Sequence, residues 1–388
     1  MVSLANSYST NGGIYVRVAI ITFVRAYNYG AVLQAYALNK IINKLGVECK
    51  VIDYFSSGFK KYYSLSEYGS FRLKPSRKLK WWISNNLLFL RVAKRNNNFS
   101  NFLTKNINLT DTQFNTYNDL MDCEDFDIYI SGSDQVWNSN ICGFDRAYYL
   151  SFCENKKRFS YAASFGMDQI PNETVSKYKE LLANWGKYSV REQSGIKIIK
   201  DLVGEKAVCC CDPTILLSTQ DWMTMGKQQK AKKFILLYFV NESKYLFEYA
   251  RQLSVEKNIA VVCLHSNMHP KYFTHYLSRE FGFVSVPTAS PTDFIQYFRD
   301  ATYVLTNSFH GTVFSVIFHK KFLCQHILDD GKYNNRIFDF LEDIGLSNRV
   351  LKESSFETIE ESINWKEVDI SLEIIRKTGM DYLASIIS

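Results

Sequence analysis

The strongest constraint on the fold is a recurring order of segments, in which an apolar run is followed by a polar turn and then by a helical pattern. Residues 16–23 read Val-Arg-Val-Ala-Ile-Ile-Thr-Phe, the turn 25–30 follows, and apolar positions recur at helical spacing up to Leu45. A second apolar strand is predicted at 48–54. Mostly apolar strands that alternate with helices are typical of parallel sheets covered on both faces. The chain therefore begins with a Rossmann-like βαβ unit, and NAD is not implied because the glycine fingerprint of dinucleotide sites is absent.

The same order continues to the end of the chain. Further strands are predicted at 126–131, 159–164, 188–190, 234–240, 259–264, 283–286, 303–306 and 322–324, and later helices at 243–257, 291–300, 336–344 and, as a pair, within 356–387. A length of 388 residues favours two domains. We predict an α/β protein with two Rossmann-like domains facing across a cleft. Its segments are a disordered leader (1–14), an N-terminal domain (15–217) with an insert (60–110), a hinge (218–233), a C-terminal domain (234–355) and C-terminal helices (356–388) that pack back on the first domain.

Composition and charge exclude several classes of function. The net charge of +7 is modest and lacks concentrated basic tracts, so it suits an anionic substrate or an acidic membrane surface rather than nucleic acid. The nine cysteines show no zinc spacing, which indicates reduced thiols in a cytosolic protein. His265 and His269 stand four residues apart, but Pro270 and a loop-like context argue against a metal site. With no signal peptide and no transmembrane-length apolar run in the sequence, we expect a cytoplasmic protein.

The predicted insert contains a basic and aromatic stretch at 72–95. It carries eight Lys and Arg residues and no acidic residue around Trp81, Trp82 and several aliphatic side chains. This composition is typical of a helix that lies at a membrane interface. It equally describes a helix that packs on its own domain with its charges solvated. The sequence leaves both interpretations open.

Polar side chains stand at the carboxyl ends of several predicted strands. In the first half they follow the strands as 28–30, 133–135, 164–166 and 191–192, and in the second half as 307–312. Loops are polar in general, but ligands of open α/β sheets bind at this edge. Asn307 and Ser308 are good helix caps, and His310 would then lie in the first turn of a helix, where anions are favoured. We therefore expect an anion-binding site beside His310.

Taken together, these turns resemble one known family. The motifs are Tyr27-Asn28-Tyr29-Gly30-Ala31-Val32-Leu33-Gln34-Ala35-Tyr36-Ala37-Leu38, Gly132-Ser133-Asp134-Gln135-Val136-Trp137-Asn138, Tyr161-Ala162-Ala163-Ser164-Phe165-Gly166, Ser189-Val190-Arg191-Glu192, Cys211-Asp212-Pro213-Thr214, Thr306-Asn307-Ser308-Phe309-His310-Gly311-Thr312 and Asn335-Arg336-Ile337. Their joint order over about 16–350 is similar to that of the bacterial polysaccharide pyruvyl transferases.

The resemblance implies a GT-B-like fold and transfer of pyruvate from phosphoenolpyruvate to a sugar, as a cyclic ketal with release of phosphate. It implies no cofactor beyond phosphoenolpyruvate as co-substrate. The acceptor would belong to a surface polysaccharide, such as a capsule or exopolysaccharide, or to its lipid-linked precursor at the inner membrane face. The expected catalytic residues are His310, Asp134 and Arg191. The expected donor-binding residues are Asn307, Ser308, Gly311, Thr312, Arg336 and Arg191, and the expected acceptor-binding residues are Asn28, Tyr29, Ser133, Gln135, Trp137 and Ser164.

Alternative roles remain for single residues and for the whole chain. Arg191 either grips an oxyanion or pairs with Glu192 or Asp212, Asp134 is either a base or a turn-forming Asx residue, and Asn28 binds the acceptor or caps a helix. One branch of the family has an arginine where this chain has Ser308, so phosphate binding passes to Arg336 or to backbone amides, and whether Arg191 or Arg336 holds the phosphate stays open. The same fold also allows a glycosyltransferase that uses a nucleotide sugar, or a non-catalytic sugar-binding protein.

Overall fold

The computed structural model of the chain describes residues 16–62, 78–226, 233–240, 243–266, 281–325, 335–351 and 359–388, with the side chains at 61–62, 78–89 and 335 left out of the description. The predicted leader at 1–14, the second part of the predicted hinge and His269 therefore lie outside the described residues. So do most side chains of the basic stretch at 72–95.

The first domain is built on a parallel sheet in the order β3-β2-β1-β4-β5. Its strands are β1 (Arg17–Ile21), β2 (Glu48–Tyr54), β3 (Leu109–Phe114), β4 (Ile128–Ser131) and β5 (Arg158–Ser160), and a short parallel pair, β6 (Tyr188–Val190) with β7 (Ala207–Cys209), follows β5 through isolated bridges. Its helices are α1 (Tyr29–Lys44), α2 (Ser57–Tyr62), α3 (Lys78–Asn106), α4 (Ser139–Cys142), α5 (Val175–Leu182), α6 (Gln193–Val203), α7 (Pro213–Leu216) and α8 (Thr219–Met223). β1 and β4 are buried almost throughout, as their apolar sequences require.

The second domain has a parallel sheet in the order β10-β9-β8-β11-β12-β13. Its strands are β8 (Phe234–Phe239), β9 (Ala260–His265), β10 (Val284–Val286), β11 (Tyr303–Thr306), β12 (Lys321–Gln325) and β13 (Val350–Leu351), and its helices are α9 (Lys244–Lys257), α10 (Pro291–Asp300), α11 (Phe309–Ile317) and α12 (Asn335–Asp343). The last helix of the chain is α13 (Trp365–Ile387). The α/β architecture with two Rossmann-like domains is confirmed.

The two domains share an apolar interface formed by α1 on one side and by α10 and α11 on the other. Tyr29 of α1 stacks on Phe294 of α10 with ring centroids 4.7 Å apart, and Trp222 of α8 meets Phe314 of α11 edge to face at 5.0 Å. Almost every residue of α1 and of α11 is buried, as expected for helices that are apolar on all sides. The helix that follows β1 and the helix that follows β11 are therefore held against each other.

Helix α13 returns to the first domain, as predicted. Arg376 donates from Nε to the carbonyl of Ile215 at 2.8 Å, and the ring of Tyr382 lies 6.2 Å from that of Tyr161. Within the described residues this region forms one long helix, where the sequence predicted two. The apolar side chains of α13 that contact the first domain alternate with exposed charged ones at helical spacing.

The structure corrects two segments of the predicted organisation. The start of the predicted hinge (218–233) is helix α8, which carries a capping box of Ser218 and Asp221 and buries Trp222 completely. The predicted insert (60–110) ends in β3, an edge strand of the first sheet that the sequence analysis missed. β3 reads Leu-Thr-Asp-Thr-Gln-Phe, and only its ends are apolar. An edge strand buries little, so it lacks the apolar run that marks the central strands.

Candidate functional site

Each of the two sheets has one point at which its strand order reverses. The first sheet reverses between β1 and β4, the second between β8 and β11, and these are the points where open α/β sheets bind ligands. Ser133 and Asp134 follow β4, and Asn307 and Ser308 follow β11. The turns chosen from the sequence therefore lie at the switch points of the two sheets.

A buried arginine organises the contribution of the first domain. The side chain of Arg191, which follows β6, is 2% exposed, and its Nη1 donates to Oδ2 of Asp212 at 3.0 Å. Its Nε donates to Oε1 of Glu192 at 3.3 Å, while its Nη2 lies 3.9 Å from Oδ1 of Asp134 and has no hydrogen-bond partner among the described residues. Burial acts to lower the pKa of Arg191, but the three carboxylates outweigh it and raise the pKa. Arg191 is thus a permanently charged group with one unused donor.

Asp212 joins this arginine to the histidine of the second domain. Its Oδ2 lies 3.4 Å from Nε2 of His310, and its Oδ1 accepts hydrogen bonds from the hydroxyl of Thr214 at 2.7 Å and from the amide of Thr214 at 3.0 Å. Burial alone would raise the pKa of Asp212, but His310 and Arg191 hold it well below its usual range. Nε2 of His310 is buried and makes no hydrogen bond within the described part of the chain, because its contact with Asp212 lacks hydrogen-bond geometry.

Helix α1 supports the imidazole from the other side. A Cβ atom built on Gly30 would lie 2.0 Å from Nδ1 of His310 and 2.5 Å from its Cγ. A side chain at position 30 therefore cannot coexist with His310 in this position. The glycine lets the backbone of the first domain approach the histidine closely, and this is a contact between the two domains.

Arg336, the first-turn residue of α12, completes the positive side of the site. Its Nε lies 3.9 Å from Oε1 of Glu192, and its guanidinium carbon is 5.9 Å from the ring centroid of Phe309. The guanidinium carbon of Arg191 lies 5.2 Å from the same centroid. Burial and the nearby charge of Arg191 lower the pKa of Arg336, which is the expected effect of two cations close together. An anion between the two guanidinium groups would relieve that repulsion.

A pocket of about 430 Å³ opens beside these groups. Arg191, Asp212, Phe309 and Arg336 are among the residues that line it. His310 does not line the pocket itself but contacts its wall through Asp212. The structure thus brings four of the residues predicted for the donor and for catalysis to one place, which are Arg191, Arg336, His310 and Asp134.

The turn after β4 supports this cluster. Ser133 donates from Oγ to Oδ2 of Asp212 at 3.3 Å, and Ser164 donates from Oγ to Oε1 of Glu192 at 2.6 Å. Asp134 has a left-handed backbone (φ 80°), and its Oδ1 accepts the amide of Gln135 at 2.9 Å. Gln135 in turn accepts a hydrogen bond at Oε1 from Asn138 at 2.7 Å. Ser133 and Ser164 are completely buried, so they orient the acidic partners of Arg191 instead of facing an acceptor.

Three further residues predicted for the acceptor are occupied elsewhere, and the expectation for them is corrected. Tyr29 is fully buried, and its hydroxyl donates to the carbonyl of Ala289 at 2.8 Å. Trp137 is also fully buried, against Phe165 and Trp185. Asn28 caps α1 by accepting the amide of Ala31 at 3.3 Å, which is the alternative role considered for it. Aromatic rings without an open face cannot stack on a sugar.

The turn before α11 is built as a helix start. Ser308 caps α11, with Oγ accepting the amide of Gly311 at 3.3 Å. Asn307 accepts the amide of Val240 through Oδ1 at 2.8 Å, and Thr312 donates from Oγ1 to the carbonyl of Ser308 at 3.0 Å. These side chains therefore shape the turn. The backbone amides of the first turn ahead of Gly311 have no acceptor within the helix, as at any helix start, so they are the groups here that can bind an anion.

The predicted site did not include Glu192, Asp212, Gly30 and Phe309, which the structure places in contact with Arg191 or His310. Asp212 and Glu192 were considered only as structural partners of Arg191, whereas the structure connects Asp212 to His310 as well. Among the described residues no group of three or more His, Cys, Asp or Glu side chains is arranged to hold a metal ion. In the same part of the chain no helix is both long and apolar enough to cross a bilayer.

Comparison with known protein families shows which family the chain belongs to. The model of one family, described as polysaccharide pyruvyl transferase, matches residues 28–324, a segment that includes Gly30, Arg191, Asp212 and His310. The chain belongs to the polysaccharide pyruvyl transferase family. No curated protein sequence matches this pyruvyl transferase family member.

Several solved structures are similar to this family member in fold. S. aureus MnaA, solved with UDP, is 11% identical with a TM-score of 0.50, over 93% of this chain and 87% of that chain. The UDP-GlcNAc 2-epimerase of Methanocaldococcus jannaschii is 11% identical with a TM-score of 0.49, over 95% and 98% of the two chains. E. coli heptosyltransferase WaaC is 15% identical with a TM-score of 0.39, over 84% and 99%. At such identities the similarity concerns the fold alone, and that fold is GT-B.

Proposed function

We propose that this protein transfers pyruvate from phosphoenolpyruvate to a sugar of a surface polysaccharide or of its lipid-linked precursor, with release of phosphate. The observation that carries the proposal is the pair of unused polar groups at one carboxylate. Nη2 of Arg191 and Nε2 of His310 are both buried without hydrogen bonds among the described residues. Arg191 contacts Oδ2 of Asp212 through its other terminal nitrogen, Nη1, and Nε2 of His310 lies at ion-pair distance from the same oxygen. Buried unsatisfied groups are rare in proteins, and two of them at one carboxylate are consistent with a catalytic role or a bound ligand.

The donor fits the positive end of the pocket. Phosphoenolpyruvate carries a phosphate and a carboxylate, and a guanidinium group binds either of them with two parallel hydrogen bonds. Arg336 is the better candidate for the phosphate, because its nearest carboxylate oxygen is 3.9 Å away, whereas Arg191 already donates to Asp212 and Glu192. The free amides at the start of α11 add donors for the same anion.

The chemistry requires a proton at the methylene carbon of phosphoenolpyruvate and an attack by a sugar hydroxyl on C2. That proton forms the new methyl group, and the hydroxyl proton passes to a base. The C–O bond to phosphate then breaks, and a second hydroxyl of the sugar adds at C2 to close the ketal, releasing its proton to the phosphate or to water. His310 is the group we assign to the proton transfer, since imidazole can both give and accept a proton near neutral pH. Asp212 orients its ring, and Asp134 is a candidate second base.

The cellular location is part of the proposal. A polysaccharide precursor that is still lipid-linked would be modified at the cytoplasmic face of the membrane, and the basic stretch at 72–95 would hold the enzyme there. One residue of that stretch has another role. Arg95 is 1% exposed and donates to the hydroxyl of Tyr29, so it does not belong to a membrane-facing surface.

The test is a substrate comparison with purified protein. Phosphoenolpyruvate or nucleotide sugars are incubated with polysaccharide precursors, and phosphate release and nucleotide release are measured in parallel. The proposal predicts acceptor-dependent phosphate release from phosphoenolpyruvate, no turnover of nucleotide sugars, and no turnover by His310→Gln. Consumption of nucleotide sugars alone would instead make the protein a glycosyltransferase. Unchanged polysaccharide pyruvate in cells carrying His310→Ala would favour a non-catalytic sugar-binding role.

A further inference from the structure

The pocket beside Arg191 and Arg336 has a second end with different chemistry. It is also lined by Asp339 and Asp343, which follow Arg336 by about one and two turns along α12, and by Ile374, Ile375 and Thr378 of α13. A volume of about 430 Å³ lies in the range of sites that enclose a drug-sized ligand, and a three-carbon phosphoester fills only part of it. Because phosphoenolpyruvate is a polyanion, the two carboxylates oppose its binding at this end.

The two carboxylates are not explained by the stability of α12. They stand four residues apart on one helix face, where like charges repel, and they approach the negative end of the helix dipole. Asp339 is half-buried, and burial with the neighbouring acidic residues raises its pKa, whereas Asp343 is exposed. Neither carboxylate forms an ion pair or a hydrogen bond with the rest of the described chain. Their arrangement costs the helix stability without a compensating internal contact.

An independent feature indicates that the pocket takes a ligand. Arg191 lines it, its side chain is 2% exposed, and its Nη2 lacks a hydrogen-bond partner within the described ranges. Phe309 also lines the pocket and is half-buried, and its ring centroid lies 6.1 Å from that of the buried Phe340. The pocket therefore offers two cationic side chains, one partly open aromatic ring and an acidic end with apolar side chains.

We propose that the acidic end is the acceptor subsite and that it selects an uncharged hexopyranose over a uronic acid. Asp339 and Asp343 accept hydrogen bonds from the hydroxyls of the sugar, and the ring of Phe309 with Ile374 and Ile375 covers its apolar face. The assignment of the sugar as the acceptor rests on the proposed function, whereas the binding of the sugar does not. This subsite replaces the predicted acceptor contacts of Tyr29 and Trp137, which are buried.

The test uses p-nitrophenyl hexopyranosides of gluco, galacto and manno configuration, together with p-nitrophenyl glucuronide, as probes of the full-length protein. Binding is followed by saturation-transfer NMR, and the affinity for phosphoenolpyruvate is measured separately by calorimetry. The variant is Asp339→Asn with Asp343→Asn, which keeps the shape of both side chains. The matched control is Glu342→Gln on the same helix, because Glu342 is exposed and does not line the pocket.

We expect at least one hexopyranoside to bind the unmodified protein, and the double variant to weaken its binding at least tenfold. The control should bind within twofold of the unmodified protein, and the glucuronide should bind more weakly than the glucoside. Affinity for phosphoenolpyruvate should be unchanged or higher in the double variant. The inference is overturned if no hexopyranoside binds the unmodified protein, or if the double variant binds it equally well. Failure of phosphoenolpyruvate to bind contradicts the proposed function instead, and the sugar measurements still decide the subsite.

Discussion

Nε2 of His310 in the second domain lies 3.4 Å from Oδ2 of Asp212 in the first domain, and the same oxygen accepts a hydrogen bond from Arg191 at 3.0 Å. One buried carboxylate thus connects the histidine that follows β11 to the arginine that follows β6. The site exists only where the two domains meet. Any change in the distance between them alters the geometry of all three groups at once.

The two arginines should respond differently to substitution. Arg336→Met should weaken binding of phosphoenolpyruvate about 10- to 100-fold, since a hydrogen-bonded charge contributes roughly 1.5–3 kcal/mol, and the melting temperature should change little. Arg191→Met should destabilise the fold by about 3–5 kcal/mol, because it leaves Asp212 and Glu192 buried without their cation. Calorimetric titration and thermal unfolding of both variants are the measurements. An equal loss of stability in both would contradict the division of roles.

Gly30→Ala should abolish most of the activity without unfolding the protein. The new Cβ would lie 2.0 Å from Nδ1 of His310, so either the imidazole or α1 has to move. Alanine is otherwise favoured over glycine in a helix by about 1 kcal/mol, and stability should therefore fall only slightly. We expect kcat to decrease at least tenfold. The control is Gly58→Ala in α2, whose Cβ would meet only Oγ of Ser56 at 3.9 Å. If both variants retain full activity, the close contact between Gly30 and His310 has no effect on catalysis and the prediction is wrong.

Asp212 should make the free energy of unfolding of the protein depend on pH in the acidic range. The pKa of Asp212 is depressed in the folded state, so its contribution is fully present above its unfolded pKa of about 4 and is lost as the pH falls below that value toward the folded pKa. Urea unfolding of the unmodified protein and of Asp212→Asn should differ most above about pH 5. The difference should shrink by about pH 3. A difference that does not vary with pH would show that the carboxylate contributes no charge-dependent stability.

Arg95 should stabilise the contact between α3 and both domains. Its Nη1 donates to the hydroxyl of Tyr29 at 2.6 Å, and its Nη2 donates to the carbonyl of Ser266 at 3.0 Å. Arg95→Met leaves these buried oxygens without a donor, at a cost of about 1–3 kcal/mol for each unsatisfied group. Thermal unfolding should show a lowered melting temperature, whereas Lys94→Met, an exposed position on the same helix, should leave it unchanged. Equal melting temperatures would exclude the role.

Much of the fold could be predicted from the sequence, because central strands such as β1, β8 and β11 are buried on both faces and are therefore continuously apolar. The edge strand β3 could not, since its exposed positions are polar. Within the site, His310 and Arg191 were chosen from their positions after predicted strands and Arg336 from the family resemblance, and their roles remain predictions. Asp339 and Asp343 could not be chosen from the sequence, because they are ordinary helical carboxylates there and only the fold brings them to one pocket with residues of α13.

Tyr29 and Trp137 were predicted to bind the acceptor, but their side chains do not face a binding site. Both stand in polar turns at the expected edge of the first sheet, yet both rings are fully buried. Local sequence gives the position of such a residue along the chain but not the direction of its side chain. That direction follows from contacts distant in sequence, such as the stacking of Tyr29 on Phe294.

The most direct test of pyruvyl transfer is mass spectrometry of candidate acceptors incubated with phosphoenolpyruvate in D₂O. The account predicts an acceptor whose mass increases by one pyruvate less one water, with one deuterium in the new methyl group, because the proton reaches the methylene carbon from an exchangeable acid. The same acceptor should stay unmodified with His310→Gln. A product that carries a hexose from a nucleotide sugar, or no product from phosphoenolpyruvate with any sugar acceptor, would contradict it.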